Sequence, residues 1–541
     1  MKLKALFFLF LASAAFADEG EPLLENLSGI AILGCREQVK REGIEPFCGV
    51  HFQGIDVPGG SCLLEEKLSC FLCNPLSQET INEIKREIIR YYRDQNYPVV
   101  VVSAPQQELT QGVLQLVVME GCLGEVQYTG NCWFKTKSLQ KYITLCPGEP
   151  INSDRLMNDV AAMNRNPFRR TEVVFAPGQI EGTTNIELVT RDKFPIRFYA
   201  GADNTGNSLT NNTRLFAGFN AGNLFGLDQV LTYQATVAPS ASRFQSHTLH
   251  YTAPLPWRHI LTLYGGYAWI DPHLTSFHSS GRSAQASVRY LMPVKPLYKS
   301  SSLEFTIGYD YKMTNNNILF SGPFEIPVVN KNINISQFVL GVSYGLKTKH
   351  HKFSANADFY GSPGKWYPNQ SNTDYQELRY KAKDYYVYGR MMVGDEISWP
   401  RTCTISLLGR AQFASTNLLP SEEFALGGYD TVRGYNERVV NGDNAFCFNF
   451  EIQTVRWQFF NRCGTRDEFY LLAFADYGVA NSVHRLPGED KFQNLFSIGP
   501  GLRYSIGSYL SVRADWGYRF VQIQDGQEQG GKFHLGALVS Y

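Results

Sequence analysis

The stretch "LSVRADWGYRF", Leu510 to Phe520, alternates between apolar and polar side chains along its whole length. Successive side chains of a strand point to opposite faces of a sheet, so this alternation predicts a strand with one apolar and one polar face. The polar face carries arginines and an aspartate, and the apolar face ends in aromatic rings, as in strands of a membrane barrel. The apolar face comprises Leu510, Val512, Ala514, Trp516, Tyr518 and Phe520, and the polar face Ser511, Arg513, Asp515, Gly517 and Arg519.

The same pattern extends over residues 195–541. It recurs in "IRFYAGAD" from Ile196 and in "KFHLGALVSY" up to Tyr541, where only Leu538 interrupts it. A soluble β-sandwich would alternate too, but paired arginine–aspartate faces and terminal aromatics favour a membrane protein. Backbone groups in hydrocarbon must all be paired, which requires a closed barrel, and a spanning strand needs about 9–11 residues plus its turn. We therefore predict a transmembrane antiparallel β-barrel of about 16 strands.

The chain starts with features of an export signal. Lys2 and Lys4 precede a short apolar run, and a small-residue triplet ends at Ala17 before Asp18. A membrane-anchor helix would need about 20 apolar residues, so we predict a signal peptide at 1–17, cleaved between Ala17 and Asp18. Fifty basic and fifty acidic side chains balance to zero net charge, which gives no footprint for nucleic acid.

Between the leader and the barrel, an order of strand, two helices and two strands occurs twice. In the first copy, Ser77 can cap a helix on which Ile81, Ile84 and Ile88 share one face. In the second copy, Leu156, Val160 and Met163 form the equivalent stripe. We predict two tandem α+β domains at 49–120 and 121–192, after an N-terminal segment at 18–48 in which residues 27–34 read as a short strand.

Eight of the eleven cysteines lie early in the chain. In an exported protein they predict disulfides confined to residues 35–146, with no means of choosing the pairing. A zinc site is the alternative, because Cys70 and Cys73 form a CxxC, but no second CxxC or histidine pair accompanies it. The later cysteines, Cys403, Cys447 and Cys463, lie outside this network, and Cys447 is predicted to face the lumen between Phe446 and Phe448.

The second α+β unit carries a specific resemblance. Its Asn164-Arg165, Pro177-Gly178 and Gly182-Thr183-Thr184 are similar to the second POTRA domain of two-partner secretion transporters, the haemolysin secretion/activation family. "DNTG" at 203–206 and "NLFGLDQV" at 223–230 are also family-like. The resemblance implies an outer-membrane barrel preceded by two tandem POTRA domains in the periplasm of a Gram-negative-type bacterium. A plug helix that the family usually has is not recognisable here.

Counting strands back from Tyr541 locates the family's main motifs. With strands near 531–541, 508–520, 494–505, 467–479, 444–456 and 401–414 as the last six, residues 415–443 become the sixth extracellular loop, which in this family folds into the barrel. By itself "VRGY" could be an exposed loop, but "FADYG" follows one hairpin later, with Phe474, Asp476 and Gly478 on the lumen face. The predicted contact set is Val432, Arg433, Gly434, Tyr435, Phe474, Asp476 and Gly478, with Arg433 on Asp476 and Tyr435 beside Phe474.

The resemblance implies a transporter that secretes one large, β-rich effector, an adhesin or haemolysin, through the barrel. Expected partners are that effector, outer-membrane lipid, and the barrel-assembly machinery, which would read the terminal Tyr541; no cofactor, metal or enzymatic activity is expected. Effector recognition would use strand addition at an open sheet edge, unless a neighbouring helix covers that edge. Candidate edge residues are Thr171, Glu172, Val173, Val174, Phe175, Val99, Val100 and Val101.

Three other functions fit parts of the sequence. An insertase of the same superfamily would share the barrel and loop motifs, but usually carries five POTRA domains. A lipase or protease of the outer membrane would need a nucleophile beside a base, and no G-x-S-x-G or triad pattern is recognisable. A passive porin would not need the two N-terminal domains.

Overall fold

In a computed structural model, the chain divides into two compact units at Asp192 and Lys193. The structure describes residues 22–180, 182–271, 277–294, 300–320, 326–329, 332–399, 401–462, 465–523 and 530–541. The predicted signal peptide, its cleavage site at Ala17 and Asp18, and Cys463 lie outside these residues. No helix among the described residues is long and apolar enough to cross a membrane.

The first sheet of the N-terminal unit has four strands. Its strand order is β2-β1-β4-β3, where β1 is Gly29–Leu33, β2 Gly49–Gln53, β3 Val100–Ser103 and β4 Val113–Glu120. Strand β1 is parallel to both neighbours, and β3 is antiparallel to β4 at the edge. The long helix α2 packs on this sheet, and the Ser77 side chain accepts the Thr80 amide at its N-terminus, as predicted. Ile81, Ile84 and Ile88 are buried on the sheet side of α2, which confirms the predicted stripe.

Strand β1 lies before residue 49, the predicted start of the first α+β domain. The short strand expected at residues 27–34 exists, and it lies in the middle of the sheet rather than in a separate segment. The sheet therefore begins before residue 49, where we placed the start of the first domain. Burial explains this position, since all five residues of β1 are buried and pair on both sides.

The second sheet has three strands in the order β5-β7-β6, with β6 at one edge. Helix α4 buries Leu156, Val160 and Met163 against it, so the second predicted stripe is also correct. The elements of this unit are β1 (Gly29–Leu33), η1 (Arg36–Gln38), β2 (Gly49–Gln53), α1 (Ser61–Ser69), α2 (Gln78–Asp94), β3 (Val100–Ser103), β4 (Val113–Glu120), β5 (Cys122–Thr129), α3 (Thr136–Gln140), α4 (Ser153–Met163), β6 (Arg169–Pro177) and β7 (Thr183–Asp192).

The early cysteines do not form the predicted disulfide network. Seven of the eight are exposed, Cys122 is half-buried, and all eight carry free thiols. Cys62, Cys70 and Cys73 lie in or directly after α1 and Cys122 begins β5, but a disulfide requires suitably directed side chains as well as closely placed Cα atoms. Cysteine count and export were the only signals behind the prediction, and neither determines which thiols come together.

The second unit is a closed antiparallel barrel of sixteen spanning strands. The last strand pairs with the first, and Phe198 and Tyr541 exchange two backbone hydrogen bonds of 3.0 and 2.9 Å at the seam. The six strands counted back from the C-terminus all occur within a few residues of their predicted bounds. With the last strand as sixteen, residues 415–443 connect strands eleven and twelve, as expected.

The predicted faces of the barrel strands are also confirmed. On the last strand Phe533, Leu535 and Val539 are 50–60% exposed, whereas His534 between them is buried. Cys447 is fully buried while its neighbours Phe446 and Phe448 are exposed, so Cys447 faces inward. Alternation therefore separates a lipid-facing apolar surface from a polar lumen.

The elements of the barrel unit follow in chain order. They are β8 (Ile196–Asp203), β9 (Arg214–Leu224), β10 (Gln229–Val237), β11 (Phe244–Pro254), β12 (Ile260–Ile270), β13 (Phe277–Val294), β14 (Ser301–Phe320), β15 (Ile326–Val329), β16 (Asn332–Lys347), β17 (His351–Pro363), α5 (Asn372–Leu378), β18 (Tyr385–Trp399), β19 (Cys403–Ala414), β20 (Phe424–Leu426), β21 (Val440–Gly442), β22 (Asn444–Gln453), β23 (Asn461–Arg462), β24 (Thr465–Asn481), β25 (Gln493–Ile506), β26 (Leu510–Arg519) and β27 (Gly531–Ser540).

Candidate functional site in the barrel lumen

The connection between β19 and β22, which we call loop 6 (residues 415–443), folds into the lumen. Its two short strands, β20 and β21, pair with each other as a small hairpin. Leu426, Val432 and Tyr435 are buried in one apolar cluster with Cys447 and Leu495 of the barrel wall. Because Cys447 faces inward, this contact places the tip of loop 6 inside the barrel.

Arg433, at the tip of loop 6, is held by the carboxylate of Asp476 on β24. Arg433 Nε lies 2.7 Å from Asp476 Oδ2 and Nη2 lies 2.8 Å from Oδ1, so the contact is bidentate. The Arg433 backbone amide also donates to Oδ2 at 3.1 Å. The guanidinium carbon lies 3.6 Å from the ring centroid of Phe474, a stacked cation–π arrangement. Both charged side chains are almost completely buried.

Two more carboxylates surround the same guanidinium. Arg433 Nη1 lies 2.5 Å from Glu451 Oε1 on β22 and 3.5 Å from Asp515 Oδ1 on β26. Arg503 adds a second cation, 3.0 Å from the other oxygen of Asp515. A buried charge is costly unless it is paired and hydrogen-bonded, and this arrangement meets that condition for Arg433. The tip is therefore bound to three separate strands of the wall.

Glycines allow the tip to approach the wall this closely. Gly434 has a φ of +90° and donates its amide to His534 Nε2 at 2.9 Å. A Cβ added at Gly517 of β26 would lie 2.6 Å from the Gly434 nitrogen, and one at Gly478 would lie 2.9 Å from Val432 Cγ2. Gly478, a member of the predicted set, thus leaves room for the tip because it has no side chain.

Tyr435 makes a different contact from the predicted one. The group over the Phe474 ring is the Arg433 guanidinium, whereas the sequence placed Tyr435 beside that ring. The Tyr435 hydroxyl donates to the backbone oxygen of Val521 at 2.8 Å and lies 3.1 Å from that of Phe496. The Arg433 guanidinium stacks on Phe474 because the Asp476 carboxylate, which binds it in a bidentate contact, holds it over the ring.

Other residues of the site were not recognised from the sequence. Tyr429 lies with its ring 3.5 Å from the guanidinium carbon of Arg513, and its hydroxyl accepts from Arg503 Nη2 at 3.3 Å. Glu451 and Asp515 could have been proposed as lumen residues from alternation, which places both on the inward face. Nothing in the sequence indicated which of the inward-facing charges would meet the loop.

The predicted recognition residues lie on two sheet edges of the N-terminal unit. Thr171, Glu172, Val173, Val174 and Phe175 belong to β6, and Val100 and Val101 to β3, each an edge strand of its sheet; Val99 immediately precedes β3. Among the described residues, no cluster of histidine, cysteine, aspartate and glutamate is suited to a metal ion.

Comparison with known proteins gives a consistent result. The family model "Haemolysin secretion/activation protein ShlB/FhaC/HecB" matches residues 182–504, and the ShlB-type POTRA model matches residues 48–121. The chain is 23% identical to the outer membrane transporter CdiB of Dickeya dadantii, over 71% of this chain and 68% of that protein. It is also 23% identical to the heme/hemopexin transporter protein HuxB of Haemophilus influenzae, over 82% and 78% of the two chains.

Solved structures show the same fold. CdiB from Escherichia coli superposes with a TM-score of 0.77 at 15% identity, covering 98% of this chain and 93% of that one. BamA from Haemophilus ducreyi lacking POTRA domains 1–3 reaches a TM-score of 0.51 at 13% identity, covering 90% of this chain and 98% of that one. The family match covers more than half of the chain, and BamA is a more distant structural neighbour than CdiB. The chain therefore belongs to the haemolysin secretion/activation family ShlB/FhaC/HecB, the outer-membrane transporters of two-partner secretion, with its POTRA domain in the periplasm.

Proposed function

We propose that this transporter exports one large, β-rich partner protein in unfolded form, and that loop 6 must leave its resting position for the partner to pass. The observation that carries the proposal is the burial of Arg433 at the tip of loop 6 among Asp476, Glu451 and Asp515. A loop bonded to three wall strands occupies space that an exported chain would use. The charge pairs hold the loop until the partner displaces it.

Recognition is proposed to occur by strand addition in the periplasm, with the second α+β subdomain acting as a second POTRA domain. On β6 the Thr171 amide and carbonyl are already bonded to the Asn164 side chain, at 2.7 and 2.9 Å. Backbone groups alternate in direction along an antiparallel strand, so those of Val173 and Phe175 point the same way as those of Thr171, away from β7. This part of the edge is where an extended segment of the partner would pair.

Edge β3 is the second place for strand addition. The Gly121 amide donates to the Val99 carbonyl at 2.9 Å, which makes Val99 and Gly121 a hydrogen-bonded pair. By the same alternation the backbone groups of Val100 and Val102 point away from β4. Two open edges allow an extended partner segment to be held at more than one point, which strengthens binding without a new kind of contact.

Co-expression with a candidate large exported protein taken from the neighbouring reading frame tests the function directly. Full-length partner should appear outside the cells only when the transporter is present, and it should accumulate inside and be degraded without it. The levels of unrelated outer-membrane barrels should stay constant. If cells without the transporter lose those barrels but still export the partner, the chain acts as an insertase and the proposal is wrong.

A further inference from the structure

Loop 6 makes a second buried ionic contact, with other strands of the barrel wall than those that bind Arg433. Glu422, near the start of the loop, is completely buried. Its carboxylate lies 2.7 and 2.9 Å from Lys312 Nζ on β14, and it accepts hydrogen bonds from Tyr388 Oη on β18 at 2.7 Å and from Gln337 Nε2 on β16 at 3.2 Å. The carboxylate is thus paired and hydrogen-bonded by three strands.

The Glu422 backbone is held as firmly as its side chain. Its carbonyl oxygen accepts from Arg390 Nη2 of β18 at 2.9 Å and from Gln412 Nε2 of β19 at 3.1 Å. These bonds fix both the position and the direction of the chain at residue 422. The wall strands involved, β14, β16, β18 and β19, are different from β22, β24 and β26, which bind Arg433.

The two ends of loop 6 are restrained by side-chain contacts, which limits any movement of Glu422. The Leu418 amide donates to Asp443 Oδ1 at 2.7 Å, so the two ends of loop 6 are joined. Arg379, which follows α5, bridges Asp443 at 2.5 Å and Glu423 at 2.7 Å. Arg433 lies between the two strands of the β20–β21 hairpin, far along the chain from both ends of the loop. Once its contacts with the wall are broken, the tip therefore has more freedom to move than Glu422.

We infer that Glu422 is a second anchor of loop 6 and the pivot on which the loop turns. When Arg433 leaves Asp476, the loop stays attached to β14, β16, β18 and β19 through Glu422, and only the segment beyond Glu422 moves. The inference rests on the proposed displacement of the tip during export. It assigns a positioning role to Glu422 and Lys312, which the motif residues alone do not reveal.

Protease access to loop 6 in intact cells tests this without the exported partner. The variants are Arg433→Ala, Glu422→Gln and the double variant, each checked for a folded barrel by heat-modifiable migration on gels. Each single variant should remain largely protected, because one anchor still keeps loop 6 inside the lumen even where the tip shifts. The double variant should be cleaved within residues 415–443 at least about tenfold faster than either single one, since two anchors of one loop are coupled.

Asp430→Asn is the matched control, because it neutralises an exposed carboxylate of the same loop. It should be cleaved at the wild-type rate, alone and combined with Arg433→Ala. If Glu422→Gln does not fold, Lys312→Gln combined with Arg433→Ala tests the same contact from the wall side. Cleavage of Arg433→Ala at the rate of the double variant would overturn the second anchor.

The two proposals fail in different ways in this experiment. Protease access reports only on where the loop is, whereas the effect of the same variants on partner export reports on the proposed function. A loop released in the double variant with export unchanged would support the anchor and contradict displacement as a step in transport. Equal cleavage of all variants would contradict the anchor whatever happens to export.

Discussion

Asp476 accepts hydrogen bonds from both the side chain and the backbone amide of Arg433. Its two oxygens accept Nε and Nη2 at 2.7 and 2.8 Å, and Oδ2 also accepts the Arg433 amide at 3.1 Å. A carboxylate bound in this way fixes the path of the loop as well as the position of the guanidinium. The pair therefore specifies one arrangement of the tip in the lumen.

Removing either member of this pair should reduce export strongly. We expect Arg433→Ala and Asp476→Ala each to lower secreted partner by about tenfold or more, because breaking a buried pair leaves one charge uncompensated at a cost of about 3–5 kcal/mol. The double variant should be little worse than either single variant, since both remove the same contact. Partner in the medium is measured by immunoblot, with heat-modifiable migration to verify the barrel.

Lysine at position 433 separates charge from geometry. Arg433→Lys keeps the positive charge and loses the planar fork that matches a carboxylate, so it should restore little of the export lost in Arg433→Ala. Full export by Arg433→Lys would show that charge alone holds the tip. Additive losses in the alanine double variant would show that Arg433 and Asp476 act independently.

Gly517 offers a way to displace the tip without altering a charge. A Cβ there would lie 2.6 Å from the Gly434 nitrogen and 2.8 Å from the Arg433 carbonyl carbon, both backbone atoms that cannot rotate away. We expect Gly517→Val to fold as a barrel, since valine suits a strand, and to reduce export like Arg433→Ala. Gly361→Ala on β17, which would meet nothing within 4 Å, is the matched control and should export normally.

Proline on β6 should separate recognition from folding. The Val173 amide points away from β7, so Val173→Pro should impair export while the subdomain stays folded. The Val174 amide points toward β7, so Val174→Pro removes a bond of the sheet itself and should destabilise the subdomain. Two measurements are needed. One is the thermal unfolding of the N-terminal unit in the purified full-length chain, and the other is the amount of partner secreted into the medium. Val173→Ala keeps the amide and should export normally; unimpaired export by Val173→Pro would remove this edge from the mechanism.

Thiol labelling should report the position of loop 6. Cys447 is completely buried, and its Sγ lies 3.6 Å from the Thr431 carbonyl oxygen of the loop. Timed maleimide labelling followed by peptide mass spectrometry should find exposed thiols such as Cys62 and Cys70 modified first and Cys447 last. Arg433→Ala should accelerate labelling of Cys447, because loss of the Asp476 contact loosens the tip over Cys447 while Glu422 still holds the rest of loop 6 in the lumen. Rapid labelling of Cys447 in the wild-type protein would contradict the buried position of the tip.

The sequence by itself determined the strands of the barrel, their faces and the position of loop 6. These features follow from a period-two alternation that each strand carries locally, and from a family resemblance that located Arg433 and Asp476. Helix α2 could also be predicted from the sequence, because its cap at Ser77 and its apolar stripe lie within one short segment. Local patterns of this kind need no knowledge of the rest of the chain.

Only the tertiary structure decided which inward-facing charges meet. Arg433 and Asp515 lie 82 positions apart, and Lys312 and Glu422 lie 110 apart, so their contacts depend on how the closed barrel brings distant strands around one loop. The place of β1 in its sheet was decided in the same way. Alternation states only that a side chain points inward. The register of the sixteen strands and the path of loop 6 determine which groups that side chain contacts in the lumen.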